Sequence, residues 1–470
     1  MKIAFMHYHL KPGGVTTCLK HQVHALKDDC DILVITGEVP DETFPADTVL
    51  IPELAYSTLV HQPFHARDVA SAIIDAIQSR FNGACDILHV HNPMLAKNKK
   101  LLQILKALQK RGVCLLLQVH DFAEDGRPLS YYNEDYLEDC HYSVVNSRDY
   151  NILLNSGLKK EGLHLIFNTV KLPDIETESS AKGADVIYPV RAIRRKNIGE
   201  AILLSLFFKN DGLLVITLPP NSPVDIESYE GWKAFVAAHQ LNVEFDRGVN
   251  QPFEAIVRSA RYLLTTSITE GFGFTFLEPW LFNKLVWGRK LYDICKDFEA
   301  NGILLDHMYG ELNVPIDWVE SDGFSEKWNG TIRNACRLFG IQIQKDQIQS
   351  AYRIITAEGT IDFGLLDEAF QKRVIGLLLS DSANRKQMSL LNPALSTIGT
   401  VLNAKDVITS NRQAVLRSYS MALYRQKLLS TYRCVAATAV KQRIDKKKLL
   451  SEFFDLNKFS LLKWGDYAAG

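Results

Sequence analysis

Short apolar runs alternate with amphipathic stretches through the first third of the chain. The runs at 2–6, 31–36, 86–91, 113–119, 142–146 and 163–167 read as buried strands, and 15–27, 66–80 and 97–111 carry apolar positions at helical spacing. Such alternation predicts a parallel sheet with helices on both faces. A polar segment, 173–183, has the composition of a connector. The pattern then restarts, with strands expected near 185–190, 213–218, 242–245 and 261–267. The expected fold class is α/β, with two Rossmann-like doubly wound parallel-sheet domains facing a cleft, at 1–180 and 181–400. Beyond about residue 320 strand signals fade, and 325–339, 365–380 and 410–440 carry helical spacing. No function signal stands out in 320–405.

Composition narrows the class. The chain has 470 residues, 47% hydrophobic and 23% charged, with a net charge of −1, as expected of a soluble globular protein with sizeable cores. That neutral balance argues against a nucleic-acid binder. Its eight cysteines are scattered with no Cys-x-x-Cys pair, and read as reduced core residues of a cytoplasmic protein. No segment approaches the ~18 apolar residues that span a bilayer.

The segment most informative about chemistry is Thr269-Glu-Gly-Phe-Gly-Phe-Thr-Phe-Leu-Glu278. It follows an apolar strand and precedes a short helix expected at Phe276–Leu285. Gly271 and Gly273 permit a sharp turn and a close ligand approach, and the N–H groups around Phe272, Phe274 and Thr275 suit phosphate or sugar oxygens. Glu270 and Glu278, at the two ends of the turn, suit hydroxyls. A second cluster, Arg191-Ala-Ile-Arg-Arg-Lys196, ends the strand 185–190. Four cations at a helix start oppose its dipole unless an anion sits among them, and Arg191 and Lys196 could neutralise a diphosphate without a metal. Gly14 lies in a glycine turn after the first strand, and the N–H groups around it are further candidates to bind the donor phosphate. His120 ends another strand beside an acidic loop in which Asp121 and Arg127 form a candidate acceptor site, with Arg127 suited to a carboxylate or phosphate.

These motifs resemble the retaining, nucleotide-sugar-dependent glycosyltransferases of the GT-B fold, the large family that includes sucrose, trehalose and phosphatidylinositol glycosyltransferases (glycosyltransferase family 4-type). Arg191 and Lys196 match its Arg-x4-Lys pair, and Glu270 and Glu278 its Glu-x7-Glu motif. Asp86 to His91 resembles its Asp-x-x-His-x-His strand, His120 its strand-end histidine, and Asn168-Thr-Val170 its asparagine–valine segment. The resemblance implies that Glu278 holds the ribose, Glu270 the donor hexose, and Arg191 and Lys196 the leaving diphosphate, with His120 near the reacting carbon. It implies transfer of a hexose from a UDP-, GDP- or ADP-sugar to a hydroxyl acceptor with retention, needing no other cofactor. It also implies that the last helices, 401–470, pack back toward the first domain.

Three departures limit the likeness. Leu218-Pro-Pro-Asn221 replaces a glycine-rich turn, Pro279-Trp280 follows Glu278, and Asn283 to Arg289 replaces a Gly-x-Pro-Val segment, so donor base and some sugar contacts are not transferable. The rival readings are a nucleotide-sugar epimerase of the same fold and a non-catalytic sugar-nucleotide-binding protein. His7, His9, His89, His91 and His120 raise a metal hypothesis, but their spacing matches no metal motif, and no metal is expected. The basic run Lys441–Lys448 reads as a solvated helix face, with contact to anionic lipid the minority reading. Donor base, sugar, acceptor and oligomeric state are not legible.

Overall fold

The computed structural model describes residues 1–40, 44–60, 62–173, 185–209, 212–320 and 323–465. All of the expected connector except Pro173 lies outside the described residues. The chain divides into two compact units, Met1–Lys171 with Ser418–Phe454, and Leu172–Arg417 with Asp455–Gly470.

The first unit is built on strands β1 (Lys2–His7), β2 (Asp31–Thr36), β3 (Asp47–Leu50), β4 (Ile87–His91), β5 (Leu115–Val119), β6 (His141–Val144) and β7 (Leu163–Leu165). They form a seven-stranded sheet in the order β3-β2-β1-β4-β5-β6-β7, every neighbouring pair parallel. Strands buried on both faces must be apolar nearly throughout. β4 and β5 meet this with polar exceptions, His89, His91 and Gln118, that turn out to be hydrogen-bonded. One core cluster packs the helices Ala66–Phe81 and Leu101–Lys110 on one face, and another packs Gly14–Leu26 and Met421–Ala437 on the other. The expected helix over 97–111 begins only at Leu101. The expected helical stretch 410–440 is two helices, Ala404–Ser418 and Met421–Ala437, the second capped by the Ser420 hydroxyl on the Leu423 N–H.

The second unit repeats the logic with β8 (Asp185–Arg191), β9 (Leu214–Leu218), β10 (Val243–Phe245), β11 (Ala260–Thr265) and β12 (Val286–Gly288). Its order is β10-β9-β8-β11-β12, again all parallel. The chain runs outward from β8 to one edge, then restarts beside β8 with β11. That reversal opens a crevice between the carboxyl ends of β8 and β11, the usual ligand position in such sheets. A small antiparallel pair, Asn313–Pro315 with Thr360–Asp362, lies in a region where the sequence predicts no strand. Gly288 has φ 136, and a Cβ there would lie 1.9 Å from the Thr265 carbonyl oxygen, so glycine is required where β12 meets β11.

The basic C-terminal run belongs to the first unit and is occupied within it. Lys441 pairs with Asp139 at 2.6 Å, Arg443 with Asp135 at 3.0 Å, and the Lys446 ammonium lies 4.0 Å from the Tyr131 ring centroid. On the helix Lys446–Phe453 the apolar residues Leu449, Leu450 and Phe453 are buried, with Phe453 4.8 Å from the Phe122 ring. The apolar face that a lipid surface would need is packed inside the unit.

Candidate active site

At the crevice of the second sheet, β8 ends in Arg191 and the chain turns through a 3-10 turn, Arg194–Lys196, into the helix Ile198–Ser205. Asn197, between them, sits in the left-handed region at φ 51. β11 ends at Thr265 and leads into the loop carrying Glu270. The two loops meet. The Lys196 ammonium donates to Glu270 Oε1, with both side chains largely buried (16% and 9% exposed). The Ile268 N–H also donates to the Arg195 carbonyl at 3.0 Å. Burial pushes the Glu270 carboxyl up, but the charges of Lys196 and Arg195 and hydrogen bonds from Lys196 and Ser267 outweigh it, leaving it below the usual carboxylate range. Glu270 is therefore an anion at neutral pH, and its stabilising contribution is lost only as the pH falls through that lowered pKa.

The anion expected among the four clustered cations is partly supplied by the protein. Arg194 forms a two-pronged pair with Glu368, Nε to Oε1 at 2.5 Å and Nη2 to Oε2 at 2.8 Å, so it is structural. Lys196 has Glu270. Arg191 donates to the Pro219 carbonyl at 3.0 Å. This gives the Leu218-Pro219-Pro220 departure a physical sense, since prolines remove N–H donors and leave carbonyls that suit a guanidinium.

Gly273 has φ 94, and a Cβ there would come within 2.9 Å of the Phe276 ring, so the turn needs glycine. The helix expected at Phe276–Leu285 is only a 3-10 turn, Phe274–Phe276, and the short helix Glu278–Leu281, because Pro279 fits only a first turn and Asn283 takes φ 54. Phe272 is a core residue, packed against Phe274 and Phe298 with ring centroids 5.1 and 5.6 Å apart. Gly271 lies in the same turn. The N–H groups of Phe274 and Thr275 open the 3-10 turn and so have no acceptor within it.

Glu278 and Thr275 line a crevice with Pro189, Phe253, Val257, Leu263, Pro279 and Phe282. Among the described residues no cation lines it, and burial pushes the Glu278 carboxyl up to about 7. A carboxyl raised from 4.5 to about 7 in the folded state favours folding below its unfolded value, and that contribution is lost as pH rises through about 7. Melting temperatures taken at intervals from pH 5 to pH 8 should show this loss in the parent protein. Glu278→Gln should flatten the profile; an unchanged slope would mean that the carboxyl ionises without cost.

In the first unit the crevice between β1 and β4 is lined by histidines. His91 and His120 stack at 5.2 Å, with Nδ1 of His91 2.9 Å from Nε2 of His120. His89 stacks on His91 at 4.8 Å and bonds the Tyr432 hydroxyl at 2.9 Å. His9 bonds the Tyr56 hydroxyl at 3.1 Å. Burial lowers His7 and His89 to about 3 and His120 to about 4, so the stack is neutral at physiological pH. These rings stack rather than converge, and among the described residues no group of three or more His, Cys, Asp or Glu could hold a metal ion. Asn92, at φ 54, accepts from the N–H groups of His120 and Asp121 at 2.9 and 3.0 Å, fixing the end of β5. Arg127 is paired with Asp121 at 2.8 Å and donates to the Phe122 carbonyl, so an anionic acceptor would have to compete with Asp121. Gly14 is the exposed first residue of the helix Gly14–Leu26, with open space where a Cβ would stand.

Sequence reasoning missed Tyr188, Ser267, Thr266 and Asn197, which surround Lys196. Each looked like an ordinary strand or turn residue.

Comparison with known proteins adds to this geometry. No family model matches the chain. Mannosylglucosyl-3-phosphoglycerate synthase from Petrotoga mobilis is 23% identical over 464 residues, covering 90% of this chain and 89% of that protein. The sucrose-phosphate synthase of Thermosynechococcus elongatus aligns with a TM-score of 0.56 at 14% identity, over 93% of this chain and 99% of that one. Anabaena HepE, solved in complex with UDP-glucose, aligns at 0.53 and 12%, over 92% and 99%. A glycosyltransferase from Rickettsia africae aligns at 0.56 and 13%, over 92% and 98%. The fold is that of the GT-B glycosyltransferases.

Proposed function

We propose that this chain is a retaining glycosyltransferase that moves a hexose from a nucleoside diphosphate sugar to a hydroxyl acceptor without a metal. The observation that carries the reading is the buried Lys196–Glu270 pair in the crevice of the second sheet. Breaking the sugar–phosphate bond leaves negative charge on the diphosphate and positive charge at the anomeric carbon, and preorganised charges are the main means of stabilising both. Lys196, with Arg191 and the N–H groups of Phe274 and Thr275, takes the diphosphate. Glu270 takes the hexose, Glu278 the ribose, and His120 contacts the sugar near the reacting carbon. The leaving phosphate deprotonates the acceptor on the face from which it departs. Support comes from the relative whose name states a mannosylglucosyl product and from HepE, solved with UDP-glucose. Neither rival reading is favoured: an epimerase would need its own acid and base at the sugar, and a binding protein has no evident use for this charge pair.

The relative's name also includes a phosphoglycerate, so an anionic acceptor is the version we adopt, with Arg127 as its contact. Incubation with UDP-, GDP- and ADP-hexoses, without acceptor, should show slow release of nucleoside diphosphate from one donor, insensitive to EDTA. Release from none of the donors, or release abolished by chelation, would overturn the reading. For the acceptor, Arg127→Ala should slow transfer to charged acceptors about tenfold relative to neutral ones, the loss expected for one charge-assisted contact. Equal effects on both would remove Arg127 from the site.

A further inference from the structure

The Lys196–Glu270 pair is held from behind by two buried hydroxyls on different strands. Tyr188, on β8 and with no exposed surface, donates to the Lys196 carbonyl at 2.7 Å. Its oxygen lies 3.0 Å from Ser267 Oγ, and Ser267 stands three residues before Glu270 on the loop that follows β11. The Lys196 carbonyl can only accept, so Tyr188 gives its proton there and Ser267 donates to Tyr188. Thr266 adds a bond to the Asn197 carbonyl at 2.9 Å. The backbone of Lys196 and the loop that carries Glu270 are therefore tied through the same two oxygens. The ion pair closes the ring from the front.

We propose that Tyr188 and Ser267 form a positioning couple that fixes the lysine and the carboxylate in one frame, so that a donor meets both at a set separation. This rests on the reading that Lys196 and Glu270 bind the sugar nucleotide. A direct ion pair alone would not set that frame, because a lysine ammonium on a flexible stem follows whichever anion is nearest. With the couple in place, a donor phosphate can draw the ammonium forward while the loop that carries Glu270 stays in register with it. A misplacement of the order of 1 Å is enough to cost about 10²-fold in rate.

The test uses the full chain and the donor hydrolysed fastest among UDP-, GDP- and ADP-hexoses. Tyr188→Phe and Ser267→Ala, each removing one oxygen, should lower donor turnover at least tenfold. In a Lys196→Ala background, Tyr188→Phe should add less than twofold, because its effect passes through Lys196. In both Tyr188→Phe and Ser267→Ala the loss should fall on kcat, with the KM for the donor within about threefold of the parent's. Should one variant fail to fold, the other carries the test, since each removes one member of the couple. Full turnover in Tyr188→Phe and Ser267→Ala beside a loss in Lys196→Ala would overturn the couple alone, as would losses that multiply in the double variant. Full turnover in Lys196→Ala itself would overturn the donor-site reading and this proposal together.

Discussion

Lys196→Ala should lower donor turnover by about 10²–10³, the loss typical when one preorganised charge-stabilising group is removed. Glu270→Ala should lose a similar factor for a different reason. It leaves the ammonium without its carboxylate, so nucleoside diphosphate alone should bind at least as well as to the parent while the hexose is no longer oriented. The two variants thus separate roles that the ion pair fuses, with Lys196 acting on the phosphate and Glu270 on the sugar. Because they act as a unit, the double variant should cost little more than the worse single one. Steady-state hydrolysis and calorimetric titration with the nucleoside diphosphate check this. Weakened diphosphate binding in Glu270→Ala would reverse the assignment.

Arg289→Met should be the most destabilising single change near the site. Arg289 is 5% exposed and bonds Glu200 through Nε at 2.9 Å and Nη2 at 2.6 Å, and Asp362 through Nη1 and Nη2 at 2.8 Å each. Glu200 is fully buried and also accepts from the Tyr309 hydroxyl at 2.6 Å and from Asn197 Nδ2 at 2.7 Å. Removing the guanidinium leaves two carboxylates facing each other with no cation between them, which typically costs about 3–5 kcal/mol. A fall in melting temperature on the order of 10 °C follows for a unit of this size. Arg289→Lys should recover only part of it, since one ammonium cannot reproduce a fork that bonds two carboxylates. The network reaches the site through Asn197, whose Oδ1 accepts from Gln371 at 2.8 Å, so the left-handed turn behind Lys196 is clamped on both sides. Variants that still fold should therefore also lose turnover. A melting temperature within a degree or two of the parent would show the network to be dispensable.

Much of this was legible in the sequence because it is written locally. Apolar runs mark ten of the twelve strands described in the two parallel sheets, and the restart after residue 184 marks the second sheet. β3 and β12 were missed: Asp47–Leu50 is only partly buried, and Val286–Gly288 is three residues long, too short to show a period. Lys196 and Glu270 stand out in the sequence because each lies in a glycine- or cation-marked turn at a strand end. Which cations are available was not legible. Arg194 looks equivalent to Arg191 and Lys196, yet Glu368, far along the chain, occupies it. The Glu200–Arg289–Asp362 network joins residues 89 and 73 positions apart, which no local pattern reports. Tyr188 and Ser267 carried no signal because a hydroxyl inside an apolar run looks the same whether it supports a site or merely satisfies the backbone.

The most direct test of the central claim is a structure of the chain bound to the nucleoside diphosphate of its hydrolysed donor. The account predicts the phosphates at the carboxyl ends of β8 and β11, within hydrogen-bond reach of the Lys196 ammonium, with the ribose against Glu278. A nucleotide seated elsewhere, with Lys196 still on Glu270 and neither touching it, would contradict it.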